Sequence, residues 1–296
     1  MGERKVKKLS GCIVALVTPF KNGAVDFDKL AEVVDFHIRH GTDWISPCGT
    51  TGESPTLSHE EHEEVIKFVV RHARGRIPVL AGTGSNSTSE ALRLTRVADK
   101  AGADAALMIS PYYNKPEPEG MYLHFKAVAS EVRLPIVLYN VPGRTGRSMD
   151  AKTVARLAQE CKNIVAVKEA SGNPDLTSEI LSLCDITVLS GDDSLTLPLM
   201  SIGGTGVISV VANIVPGDVK KMVNAFAQGR MAEAQRRHRK LFPLCRAMFY
   251  ETNPIPVKTA MQLLGRLNGE MRLPLSAMTP EKKKMLQAAM DAYGLL

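Results

Sequence analysis

The chain has 296 residues, is 44% hydrophobic and carries a formal net charge of +6. This is an ordinary balance for one large globular domain or two, and its modest positive charge would steer a small anionic substrate. No apolar run approaches the ~20 residues that cross a bilayer, and the five scattered cysteines form no C-x-x-C pair, which argues against a membrane span and against a disulfide or zinc framework.

The basic opening MGERKVKKLS lacks the apolar stretch of a signal peptide, and Val6 stands where a myristoylation motif needs Ser or Thr. A cytoplasmic protein is expected. Short apolar runs then recur at Cys12–Val17, Trp44–Cys48, Pro78–Ala81, Ala105–Ile109, Pro135–Tyr139, Ile164–Val167, Ile186–Leu189 and Gly206–Val211. They are rich in Val, Ile and Leu with little alternation, as in strands buried on both faces of a parallel sheet. Helix-like stretches separate them. Ser58 with Glu61 predicts a capping box for one helix, and Ser87 with Glu90 predicts another. The first of these helices carries Val65, Ile66, Val69 and Val70 at helical spacing and ends near Gly75.

Eight strand–helix units predict an α/β protein built as a (β/α)8 barrel. The rival, an open doubly wound sheet, normally shows a Gly-rich dinucleotide fingerprint after its first strand, and Thr18-Pro19-Phe20 offers none. Gly82-Thr83-Gly84 follows the third strand, but Ser87 stands where the last glycine belongs. Past Asn213 the pattern is wholly helical and too long for one closing helix. The expected division is a catalytic barrel over residues 1–229 and a C-terminal helical subdomain over residues 230–296. The basic run Arg236 to Lys240 reads as a solvated helix face, with no aromatic or Cys/His nucleic-acid motif beside it.

A barrel of this kind carries its chemistry at the C-terminal ends of its strands. Those ends hold Thr50, Thr51, Asn86, Tyr112, Tyr113, Tyr139, Arg144, Lys168, Glu169, Asp192, Asp193 and Ile208, with no cluster of metal ligands. Lys168 ends an apolar strand and should project into a partly desolvated site. Desolvation disfavours the ammonium form of a lysine and frees the amine to attack a carbonyl. Imine formation also needs protons moved, and Tyr139, Tyr113 and Thr50 at neighbouring strand ends make a possible relay, although each alone would serve equally as a packing residue. Arg144 either clamps a substrate carboxylate or pairs with a surface acid.

At these residues the sequence resembles the dihydrodipicolinate synthase family of pyruvate-dependent aldolases. The markers are GTTGESPTLSHEEH (49–62), PYYNKP (111–116), YNVPGRTG (139–146), VKEASGN (167–173), GDD (191–193), GVISV (206–210) and NPIPVK (253–258), spread over nearly the whole chain. The resemblance implies an imine between Lys168 and pyruvate, and a relay of Thr50, Tyr139 and a Tyr113 reaching in from a neighbouring subunit. It implies backbone amides of Thr50 and Thr51 on the pyruvate carboxylate, with backbone atoms of Gly191 and Ile208 lining the pocket. Arg144 would receive the carboxylate of L-aspartate 4-semialdehyde. The implied product is 4-hydroxy-tetrahydrodipicolinate, made without metal or organic cofactor by a homotetramer arranged as a dimer of dimers. In lysine-inhibited members an allosteric pocket uses residues matching Ser54, His59, His62, Asn86, Glu90 and Tyr112, which implies L-lysine as an inhibitor.

Three other readings remain open at this stage. The same imine serves aldolases acting on sugar acids such as N-acetylneuraminate or 2-keto-3-deoxygluconate, which need a pocket for a polyhydroxylated chain. Gly203-Gly204-Thr205-Gly206 would suit an anion-binding barrel without catalysis, or simply a bend. His59 and His62 equally suit an ordinary solvent-facing first helical turn, and their i, i+3 spacing without a third ligand is a weak metal pattern.

Overall fold

The structure, a computed structural model, describes residues 8–296; most of the basic N-terminal segment, including Val6, lies outside the described residues. Eight strands form its centre: β1 (Gly11–Ala15), β2 (Trp44–Ser46), β3 (Leu80–Gly82), β4 (Ala105–Ile109), β5 (Ile136–Asn140), β6 (Ile164–Glu169), β7 (Thr187–Ser190) and β8 (Gly206–Ser209). Each falls on one of the eight apolar runs. They are all parallel and follow one another in the order β2-β1-β8-β7-β6-β5-β4-β3. A parallel bridge between Ile45 and Val79 joins the two ends of that order. It is supported by Ile45 N donating to Pro78 O at 3.0 Å and Gly82 N to Pro47 O at 2.9 Å. The sheet therefore closes into the expected (β/α)8 barrel.

Alternation along the strands, masked in the sequence because both faces are apolar, becomes plain in the packing. Ile13, Trp44, Leu80, Leu107, Val137, Ala166, Leu189 and Ile208 form one cluster inside the barrel. Their neighbours Cys12, Val14, Ile45, Ala81, Met108, Leu138, Val167 and Val188 pack outward with the helices. Lys168 is two residues beyond Ala166, so the period of two turns it inward above this plug.

The helices around the barrel are α1 (Phe27–Arg39), α2 (His59–Ala73), α3 (Thr88–Ala101), α4 (Pro118–Glu131), α5 (Ala151–Glu160), α6 (Pro174–Leu183), α7 (Thr196–Ser201) and α8 (Pro216–Ala227). The Ser58 capping box forms as expected: Glu61 N donates to Ser58 Oγ at 3.2 Å, and Ser58 N donates to Glu61 Oε2 at 2.9 Å. Helix α2 then closes at Arg74 in the left-handed conformation, one residue before Gly75.

The second capping box does not form. Ser87 occupies the N-cap of α3 but makes no side-chain cap bond, and its hydroxyl meets Ser89 Oγ at 3.0 Å. Glu90 turns away from its own helix start, accepting from Ser85 Oγ and pairing with His59 Nδ1 at 3.1 Å. A cationic or hydroxyl partner across the groove outcompetes a local N–H for this carboxylate.

Three further helices follow: α9 (Met231–Ala247), whose N-cap is Arg230, α10 (Ile255–Leu263) and α11 (Pro280–Tyr293). Leu286 and Met290 of α11 are fully buried, and Tyr293 Oη donates to Asp218 Oδ2 of α8 at 2.8 Å. Helix α10 is buried from Ile255 to Met261 and lies behind the loop that follows β2. Among the described residues no helix is long and apolar enough to cross a membrane.

Candidate active site

Lys168 is 6% exposed and stands opposite Tyr139 in the β5–β6 register. Its Nζ lies 4.1 Å from the centroid of the Tyr139 ring. Above them opens a pocket of about 70 Å³ whose wall includes Thr50, Thr51, Tyr139, Arg144, Lys168 and Gly191. That is room for a ligand of a few heavy atoms. Five strands contribute to the wall, as a barrel requires of a site at its C-terminal face.

Thr50 and Thr51 open a short 3-10 turn, Thr50–Gly52, whose first N–H groups have no partner within the turn. Thr51 Oγ1 accepts from Asn253 Nδ2 at 3.0 Å. Arg144 rides on a helical turn, Pro142–Thr145. Its Nη2 donates to the Asn253 carbonyl at 3.2 Å; among the described residues it pairs with no surface acid. Gly191 sits so close to the lysine strand that an added Cβ would lie 2.4 Å from Ala170 Cβ and 3.1 Å from Lys168 Cε. Glycine is the residue this approach allows.

Three acids lie on the same strand end or on the turn that follows β7. Asp192 lines the pocket; burial pushes its carboxyl up, while the charges of Lys168 and Arg246 pull it down. Asp193 is held below, accepting from Val210 N and Val211 N at 2.9 Å each, with burial again raising its carboxyl. Glu169 faces away from the pocket and accepts from Asn140 Nδ2 at 2.8 Å and from Ser171 N at 2.5 Å.

Two expected residues are not brought to this pocket. Tyr113 is 90% exposed, with a left-handed φ of 69°, and does not turn toward Lys168. Ile208 is fully buried inside the barrel; Val210, two residues further on, reaches the pocket wall instead.

A second, larger cavity of about 690 Å³ adjoins the first, the two sharing Thr50, Tyr139 and Arg144 in their walls. Ser54, His59, His62, Glu90 and Tyr112 line its far end. Asn86 stays at the rim, its carbonyl accepting from Asn114 Nδ2 at 2.9 Å. His62 is not on a solvent-facing turn. It is 6% exposed and its Nε2 meets the Gly82 carbonyl at 2.7 Å, which makes that nitrogen the donor; burial lowers its pKa.

Asn253 and Asp192 are pocket residues to which the sequence reading gave no role. The signal for Asn253 was present: Pro254 and Pro256 stiffen the chain around it, as a fixed side chain in a site demands.

The chain matches the Dihydrodipicolinate synthetase family over residues 8–293. It is 56% identical over 288 residues to the 4-hydroxy-tetrahydrodipicolinate synthase of Geotalea uraniireducens, covering 97% of this chain and 99% of that one. A crystal structure of dihydrodipicolinate synthase from Aquifex aeolicus superposes with a TM-score of 0.96 at 51% identity, over 97% of this chain and 99% of that chain. A second, from Cyanidioschyzon merolae and solved with lysine bound, does so with a TM-score of 0.94 at 43% identity, over 97% of this chain and 99% of that chain. Likeness of this extent covers nearly the whole chain, and the chain belongs to the dihydrodipicolinate synthetase family.

Proposed function

We propose that this enzyme condenses pyruvate with L-aspartate 4-semialdehyde to give 4-hydroxy-tetrahydrodipicolinate, on the route to diaminopimelate and lysine, through an imine on Lys168. The observation that carries the reading is a buried lysine at the end of an inner barrel strand, facing a tyrosine across a pocket of about 70 Å³. The amine of Lys168 adds to the pyruvate ketone, and loss of water from the carbinolamine gives the imine. Removing a proton from the adjacent methyl carbon yields an enamine, which attacks the aldehyde carbon. The amino group of the semialdehyde then adds to the resulting imine carbon and displaces Lys168, closing the ring and freeing the lysine. Tyr139 and Thr50 line the same pocket as the lysine, and their hydroxyls suit the movement of these protons.

The amides of Thr50 and Thr51 suit the pyruvate carboxylate, and Arg144, at the mouth shared by both cavities, suits the carboxylate of the incoming aldehyde. Gly191 keeps space open beside the lysine; Ile208 supports the floor rather than the wall. An acidic aldehyde of this size fits the Arg144 mouth better than a polyhydroxylated sugar acid. Relatives bearing the synthase name weigh the same way.

The exposed Tyr113 suits a relay completed in another subunit's pocket, which supports a contact between two subunits; we take the assembly as a homotetramer arranged as a dimer of dimers. The larger cavity suits L-lysine as an inhibitor, with Glu90 and His59 near its ammonium and Ser54, Asn86, His62 and Tyr112 supplying polar contacts; a relative solved with lysine bound supports this. We take the barrel as the catalytic unit, the helices after Arg230 as its subdomain, and the cytoplasm as its location.

The test is intact-mass analysis after pyruvate and borohydride, with peptide mapping. Reduction of a pyruvate imine at Lys168, with aldehyde consumption in a coupled assay, bears the reading out. An unmodified protein, where a known pyruvate aldolase is trapped, defeats it and favours a non-catalytic binder.

A further inference from the structure

Glu53 and Lys258 form an ion pair removed from water: their side chains are 0% and 1% exposed, and Nζ lies 2.5 Å from Oε1. The pair is fully furnished with partners. Lys258 Nζ also donates to the Thr18 carbonyl at 3.0 Å and lies 4.4 Å from the Phe20 ring centroid. The other oxygen of Glu53 accepts from Arg272 N at 3.2 Å. Replacing such a pair by apolar residues of similar volume is often neutral or stabilising, so stability alone is a weak reason for it.

Its placement offers a better one. Glu53 closes the Thr50–Gly52 turn, its N–H donating to Thr50 O at 3.1 Å, and it holds a left-handed φ of 54°. Thr18, which accepts from Lys258 through its carbonyl, donates from its hydroxyl to Gly52 O at 2.7 Å. Lys258 lies in α10, just after Asn253, whose side chain holds Thr51 Oγ1. Two struts from one buried segment thus grip the turn at its middle residue and at its C-terminal end.

We propose that the Glu53–Lys258 ion pair is a positioning device for pyruvate, fixing the Thr50–Thr51 turn against Lys168 so that its amides meet the substrate carboxylate. This rests on the reading of Lys168 as the imine-forming residue. Neither Glu53 nor Lys258 lines the pyruvate pocket, so both act through the turn.

The experiment compares wild type with the double variant E53Q/K258M, which removes both charges and keeps an amide acceptor for Arg272 N–H, and with E53D, which keeps the charge but shortens its reach. Each is titrated with pyruvate under borohydride, and steady-state KM and kcat are measured beside thermal unfolding. The expected result for the double variant is a cooperative transition near that of wild type, with half-saturating pyruvate raised roughly 10-fold to 100-fold and Lys168 still trapped at saturation. E53D should show the same split to a smaller degree. Wild-type half-saturation in the folded double variant would overturn the proposal. So would loss of folding in both variants, which would assign the pair to stability. Failure to trap wild-type enzyme would instead strike the imine reading itself.

Discussion

Tyr139 and Lys168 face each other in register on adjacent strands, with the lysine nitrogen 4.1 Å from the tyrosine ring centroid. The ring's face neighbours the amine, and its hydroxyl is the group proposed above for proton transfer. Tyr139→Phe keeps the first and removes the second. The expected outcome is a kcat lower by about 10²–10⁴-fold with Lys168 still trapped by pyruvate and borohydride, only more slowly. Near-normal turnover would take the hydroxyl out of the mechanism.

Gly191→Ala places a methyl where Ala170 Cβ and Lys168 Cε already stand, at 2.4 and 3.1 Å. Overpacking of this kind costs about 1–3 kcal/mol, and here the lysine stem is one of the groups that must move. Chemical denaturation should report the stability loss, and trapping should report a larger loss of imine formation than the stability change explains. A variant trapped as readily as wild type would show that the stem has room to give.

Among the described residues Arg144 donates only to the Asn253 carbonyl, which leaves the rest of its guanidinium for a substrate anion. Arg144→Ala should lower kcat/KM for the aldehyde by roughly 10-fold to 100-fold, corresponding to about 1.5–3 kcal/mol for hydrogen bonds to a charged group. Half-saturating pyruvate should move much less. Equal changes for both substrates would assign Arg144 to the pyruvate end.

How far the sequence discloses these features depends on the distance over which they are decided. The eight strands, and Lys168 at the end of the sixth, were legible because an apolar run buried on both faces is a local property of the chain. Ser87 and Glu90 were misread because an S-x-x-E pattern fits a capping box as well as it fits a carboxylate aimed at His59, and only the packing of α2 on α3 decides between them. The roles of Asn253 and Lys258 depend on Thr51 and Glu53, far away in sequence, so no window of pattern could contain both ends of the contact. His62 looked solvent-facing because Gly82, its partner, lies on the next strand.

Two buried histidines give the fold an acid limit. Burial lowers His37 from 6.5 to about 3, and His124 from 6.5 to about 4. Both are depressed in the fold, so the unfolded chain binds more protons across this window. Their contribution is complete above about pH 6.5 and is lost as pH falls toward about 4 and 3. His37→Asn should flatten the slope of unfolding free energy between pH 6.5 and 4 by up to ~1.4 kcal/mol per pH unit. An unchanged slope would mean that this ring does not resist protonation.

Glu90 is an acid at the far end of the larger cavity, paired with His59 at 3.1 Å. Glu90→Gln removes its charge and keeps its shape. L-lysine affinity, measured by calorimetry, should fall by about 10-fold or more, the worth of one charge-assisted contact of 1.5 kcal/mol or above. Affinity equal to wild type would move the ammonium site elsewhere.

The pairing of Thr51 with Asn253 and of Glu53 with Lys258 has a consequence for the order of events during synthesis. The turn that faces Lys168 emerges from the ribosome early, whereas both of its struts emerge only after all eight barrel strands. The contacts that hold this turn thus become available only once residues 253–258 have been made, after the last barrel strand.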